Sequence, residues 1–429
     1  MFFAASLALP LVWFIARFIV NRKRSDIRYA PGPSAKSASW IWGHELEAFR
    51  GQALEVYSKW MYTYGPLFKI NAAFFHNDII VVGDHAAVQH IFADIFTYMK
   101  GPSLRPITAN IVGKGVLWAE GEDHVFQRRL LSPAFTLESV KKMADVISEC
   151  AEKVQCLFTW LEWKFDQGKT FAGFLGPVVI RAFPSIVSLS LKSQNNTAGL
   201  STAQIIDNIS TFIMAGHETT GGALNFALME LARSSRVQQK LRREVQQFRD
   251  ALSYDAIQKL EYLDAVTKEV LRLHPSVPHT ERVAMRDDII PLATPIRMRN
   301  GTVLTSFKVQ KGQVFHIPLM TMNTNPKVWG EDAGEFQPER WLTPNAIRPS
   351  NELPHGWSNM VTFTDGPRLC IGYRLALFEF KVILATLSRS LEFHSTDATV
   401  NRKDILTLQP VVDGKCGVLP LRLTLASHT

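Results

Sequence analysis

The decapeptide Phe363-Thr364-Asp365-Gly366-Pro367-Arg368-Leu369-Cys370-Ile371-Gly372 constrains this 429-residue chain more than any other segment. Glycine and proline ahead of the cysteine force a tight turn, and Gly372 lets a neighbour approach the backbone closely. Helical spacing begins just beyond, in Leu375-Ala376-Leu377-Phe378-Glu379-Phe380. Cys370 therefore precedes a helix N-terminus, where backbone N–H groups and the helix dipole favour a thiolate. A lone cysteine is more often a buried structural residue. Here the whole pattern Phe-x-x-Gly-x-Arg-x-Cys-x-Gly needs an explanation, and a thiolate in an apolar, glycine-lined turn is what an axial haem-iron ligand requires.

Three other segments carry chemistry. Ala215-Gly216-His217-Glu218-Thr219-Thr220 falls inside a helix that starts near Ala203 and is marked by Ile205, Ile206, Ile209, Phe212 and Ile213. Its glycines and paired threonines, with Gly221 and Gly222 following, predict a widening or kink there. An acid beside a hydroxyl is a proton-delivery pair; the plain alternative is a buried helix whose threonine bonds back to the preceding turn. In YLDAVTKEVLRLHP, apolar Leu263, Val266, Val270 and Leu273 define a helix that puts Glu269 and Arg272 on one face. Such a pair contributes only tenths of a kcal/mol if exposed, but Phe336-Gln337-Pro338-Glu339-Arg340-Trp341 offers Arg340 as a third member. Candidate cations for the carboxylates of a cofactor are Arg368, Arg282 and Arg128, the last four residues after His124. For Arg282 and Arg128 an ordinary surface position is the competing reading.

These segments, in this order, resemble the cytochrome P-450 family of haem-thiolate monooxygenases, of a membrane-anchored, fungal-like type. The resemblance implies a mainly α fold with a small β region. It implies haem b, with Cys370 as iron ligand in a loop framed by Phe363 and Gly372. Arg368, Arg282, Arg128 and His124 would hold the propionates; the family usually has Trp-x-x-x-Arg where this chain has His124-x-x-x-Arg128. Ala215 and Gly216 would present a flat helix face to the haem, while Glu218 and Thr219 cradle dioxygen and relay protons. Glu269, Arg272 and Arg340 would form a buried charge triad that locks the cysteine loop. The reaction implied is insertion of one oxygen atom into a lipophilic organic substrate. Because the chain has no flavin or nicotinamide pattern of its own, NADPH-cytochrome P-450 reductase is the implied electron donor, with cytochrome b5 as a second. Arg374 and Lys381 are candidate docking cations. A haem-thiolate isomerase or peroxygenase would share Cys370 without needing Glu218 and Thr219. A non-catalytic truncated haem protein is the reading from a different class.

One departure stands out. Only 86 residues separate Arg128 from Ala215, where the family usually places several more helices, so the chain reads as internally shortened. Residues 103–116 and 171–189 are the expected pocket walls. A second helix is predicted through Val140, Met143, Ile147, Val154 and Leu161, ending near Phe165. Strands are predicted at residues 67–70 and 79–82, and Asn300-Gly301 predicts a hairpin turn.

The N-terminus adds a further expectation. Residues 2–20 are apolar apart from Ser6 and Arg17, and Asn21-Arg22-Lys23-Arg24 follows, which reads as an uncleaved single-pass anchor with the remainder cytosolic, at the endoplasmic reticulum membrane. Residues 21–34 read as a basic, proline-rich linker whose Pro31-Gly32-Pro33 is a stiff spacer, and residues 35–429 as one haem-binding domain. The net charge of +8 is dispersed, which argues against nucleic acid and fits an acidic partner or an anionic membrane surface. Four cysteines without metal or disulfide spacing fit a reducing compartment.

Overall fold

The computed structural model describes residues 26–73, 76–101, 104–162, 199–247, 253–344, 346–347 and 356–426. The expected anchor at residues 1–20, the pocket wall at 171–189 and the helix end near Phe165 lie outside them. Among the described residues no helix is long and apolar enough to cross a membrane.

The central element is the 32-residue helix Thr202–Arg233. Ser201 starts it with a capping box: its hydroxyl accepts from Gln204 N at 3.2 Å, and Gln204 Oε1 accepts from Ser201 N at 3.0 Å. The helix runs without interruption through Gly216, Thr219, Gly221 and Gly222, so the expected widening does not occur. Residues 220–229 are buried throughout, and packing on every side overrides their poor propensity. The Glu269 helix, Glu261–Leu273, and the helix after the cysteine loop, Tyr373–Ser390, pack with it in the main core. The helix expected through Val140 and Leu161 is two, Leu137–Lys142 and Ala144–Glu162, separated at Met143.

The β region forms a second core. Leu67–Ile70 and Ile79–Val82 form where expected, and lead a five-stranded sheet continued by Val314–Ile317, Thr280–Ala284 and Tyr98–Met99. Asp288–Arg297 and Val303–Val309 make the hairpin turning at Asn300-Gly301, where Gly301 has φ of 86°. Smaller sheets join Asn401–Ile405, Thr407–Val412 and Lys415–Cys416, and Leu391–Ser395 with Leu421–Leu425. Pro31-Gly32-Pro33, expected as a stiff spacer, lies against the sheet. Lys69 N donates to Pro31 O at 2.9 Å, and Gly32 and Pro33 are buried. These backbone groups are satisfied by the domain rather than by water.

Candidate active site

The cysteine loop is held by its own backbone. Cys370 N donates to Phe363 O at 2.9 Å, Leu369 N to Gly366 O at 3.0 Å, and the Thr364 hydroxyl to Arg368 O at 2.9 Å. Gly366 has φ of 65°, and a Cβ there would lie 2.7 Å from Phe92 O; only glycine permits both the turn and this packing. Phe363 makes an edge contact with Trp357 at 5.4 Å between ring centroids. Gly372 caps the helix Tyr373–Ser390. Cys370 thus sits two residues ahead of that N-terminus.

Cys370 keeps accessible surface although protein surrounds it deep in the molecule. Its surface therefore opens onto an internal cleft. Burial pushes the thiol above its ordinary range, while the Gly372 N–H and the Arg128 charge pull it down and do not win. The helix terminus alone does not deliver the thiolate that its position promised. A metal cation on the sulfur would, because coordination deprotonates a thiol outright.

The same cleft bares part of the central helix. Residues 213–219, between buried runs, are half-exposed, as are most residues from 363 to 377. The two walls meet through an apolar cluster in which Phe135 and Phe212 touch at 5.1 Å and Ile371 and Leu375 pack alongside. Ala215, Gly216, Glu218 and Thr219 all fall on the bared stretch. Thr219 Oγ1 donates to Ala215 O at 2.6 Å, and Glu218 Oε2 accepts from Gln409 Nε2 at 3.5 Å.

A cationic cluster flanks the cysteine loop. The helix Gly121–Leu131 carries His124 and Arg128, and buried Asn208 ties it to the central helix by donating to Gln127 Oε1 at 3.0 Å. Arg128 Nη2 donates to Leu369 O at 2.6 Å. Arg368 donates to Ala119 O at 2.9 Å and pairs with Glu120. Arg282 is buried on the sheet, donating to the Thr280 hydroxyl and to Glu281 O, both at 2.7 Å. Lys100 and Glu120 join the cluster, paired at 3.2 Å; neither stands in a recognisable sequence motif.

These groups repel one another. Burial and the Arg368 charge lower Lys100 to about 7 and Arg282 to about 10. Burial, with Arg368, Lys100 and Arg128, lowers His124 to about 3, so its imidazole is neutral and offers one N–H. His124 Nδ1 is buried without a partner. Arg128, Arg282, Arg368 and Lys100 outnumber the nearby carboxylates Glu120 and Glu281, and such a cluster beside an accessible thiol suits an iron porphyrin with two propionates. The residues present therefore fit haem: Cys370 would ligate the iron, and Arg128, Arg282, Arg368, Lys100 and His124 would hold the propionates.

Behind the loop, Arg272 grips Glu269 with two bonds of 2.8 Å, and Arg340 Nε donates to Glu269 Oε1 at 2.9 Å. Trp341 Nε1 and Gln337 N fill the remaining carboxylate sites, each at 2.9 Å. Arg272 Nη1 also donates to Asn323 O at 3.0 Å, and Asn323 Nδ2 donates to Thr362 Oγ1 at 2.8 Å, next to Phe363. The triad reaches the cysteine loop through that relay. Lys381, read as a docking cation, is buried and pairs with Asp264 at 2.6 Å; Arg374 is exposed and lies over the Tyr373 ring.

The cytochrome P-450 family model matches residues 33–176 and 180–413. Cytochrome P-450 monooxygenase 128 of Postia placenta is 29% identical over 499 aligned positions, covering 91% of this chain and 90% of that protein. Cytochrome P-450 monooxygenase claQ of Ampulloclitocybe clavipes is 29% identical over 521 positions, covering 97% and 96%. A ganoderic acid synthetase of Ganoderma lucidum is 37% identical over 239 residues, covering 53% of this chain and 44% of its own. The first two alignments exceed the 429 residues of this chain, so those relatives carry segments that it lacks. With a family match across most of its length, the chain belongs to the cytochrome P-450 family of haem-thiolate monooxygenases.

Proposed function

We propose that this monooxygenase uses haem b to hydroxylate a lipophilic organic substrate, with electrons from NADPH delivered by NADPH-cytochrome P-450 reductase and, as a second donor, cytochrome b5. The observation that carries this reading is the accessible Cys370 in its pinned loop, flanked by a cationic cluster and by the bared stretch Ala215–Thr219. When bound, haem supplies the redox chemistry: two electrons and two protons turn dioxygen and substrate into hydroxylated product and one water. The chain supplies placement. Its cationic cluster would hold the propionates, and Cys370 would ligate the iron and supply electron density to it.

Glu218 and Thr219 would handle dioxygen and protons. The Thr219 hydroxyl donates back to Ala215 O, the bond of an ordinary helical threonine, and stays half-exposed on the bared stretch with acceptor capacity left. Glu218 is half-exposed and so reaches solvent for protons. Such a pair serves dioxygen chemistry rather than a peroxide-driven or isomerase reaction, which arrives with its oxygen already reduced.

The enzyme is anchored to the endoplasmic reticulum membrane by residues 2–20, with the catalytic domain cytosolic. Support comes from the apolar run and the basic stop Arg22-Lys23-Arg24. Trp40 and Trp42, 79% and 57% exposed and close in sequence to that run, suit a bilayer interface. The test of the reaction is turnover of a lipophilic substrate panel with reductase, NADPH and isotopically labelled dioxygen. One labelled oxygen atom per product molecule is expected; product labelled only from water or from added peroxide would overturn the reading.

A further inference from the structure

The strand Thr407–Val412 crosses the central helix where Glu218 sits, and the reading above gives that contact no task. Two pins fix the crossing. Leu408 N donates to Ser276 O at 2.8 Å, and Ser276 Oγ donates to Thr219 O at 2.7 Å. Gly222, one turn after Glu218, lets the strand come this near: a Cβ there would lie 3.2 Å from Leu408 O and 3.7 Å from Gln409 Nε2. Gln409 is itself oriented, because Nε2 donates to the Thr407 hydroxyl at 2.9 Å. Its second N–H is then directed at Glu218 Oε2, 3.5 Å away.

A bond of that length is weak, which suits a resting station rather than a permanent clamp. We propose that Gln409 is a positioning residue for Glu218: it parks the carboxylate at the edge of the cleft, so that protons enter beside Thr219 by one route. This deepens the relay reading of Glu218 and rests on it. It also gives the paired glycines of the central helix a purpose, since Gly222 admits the strand that carries the amide. Gln409 touches no reacting atom; it acts through Glu218.

The test compares Glu218→Gln, Gln409→Leu, Gln409→Lys and Gly222→Ala in the haem-loaded enzyme with reductase. Product formed and hydrogen peroxide leaked are measured per NADPH across pH, and the carbon monoxide spectrum checks that the pocket is intact. Gln409→Leu is expected to lower coupling about three- to tenfold and to move its pH profile. Gln409→Lys, which turns the weak amide bond into an ion pair, should clamp the carboxylate and also lower coupling, as the resting-station role requires. Gly222→Ala should act like Gln409→Leu, more mildly, without altering either side chain. Uncoupling by Glu218→Gln but not by Gln409→Leu would overturn the inference and leave the relay standing. Unchanged coupling in Glu218→Gln would overturn the relay, and the inference with it.

Discussion

At the scale of single residues, Glu269 shows how a commonplace motif becomes informative. Glu-x-x-Arg on a helix is frequent and means little on a surface, yet here both side chains are wholly buried. Each Glu269 oxygen accepts at least two bonds, from Arg272, Arg340, Trp341 and Gln337. Replacing Glu269 by glutamine would strip the buried Arg272 guanidinium of its carboxylate and leave Arg340 with Asp332 alone, at a cost of about 3–5 kcal/mol. We expect Glu269→Gln to lower the urea midpoint sharply and to lose more than half its haem on purification, with Arg272→Lys intermediate; full haem content in both would refute the locking role. This triad was legible because its members occupy two short segments. Lys100, Glu120 and the buried pair of Lys381 were not. Glu120 lies 248 residues from Arg368, and Lys381 lies 117 from Asp264, so only the folded chain reveals that these charges have partners.

At the scale of elements, the helix Tyr373–Ser390 has an unusual burden. It buries two ionisable side chains in succession two apart, Glu379 and Lys381. Lys381 has Asp264 and Gln258 as partners, whereas Glu379 Oε1 has none. Burial raises Glu379 from 4.5 to about 8. Its carboxyl is then protonated when folded and ionised when unfolded between those values, so folding takes up a proton and stability falls as pH rises through the window. Glu379→Gln removes this term. Measured by urea unfolding, the variant should gain on the parent steadily from about pH 5 to 8, reaching at most on the order of 4 kcal/mol. Parallel curves would place Glu379 in contact with water or a partner. The elements themselves were largely readable. Gly65-Pro66 and Gly83-Asp84, flanking short apolar runs, marked both early strands, and Asn-Gly marked the hairpin. The split at Met143 and the unbroken central helix were not readable, because packing rather than local propensity decided both.

At the scale of the whole molecule, the question is whether a core shorter than that of its relatives still presents Cys370 correctly. The described parts answer structurally. The central helix and the cysteine loop meet through one apolar cluster with the triad behind the loop, and the cationic cluster draws on the sheet, the Gly121–Leu131 helix and the loop together. The order of these segments along the chain was visible from sequence. Their convergence was not, since residues from Lys100 to Cys370 must meet across most of the fold. The most direct test of the account is the carbon monoxide difference spectrum of the reduced, purified protein. The account predicts a red-shifted Soret band, the mark of haem held by the Cys370 thiolate in an intact pocket. A band at the position typical of neutral ligation, or no haem at all, would contradict it, and the non-catalytic reading would stand instead.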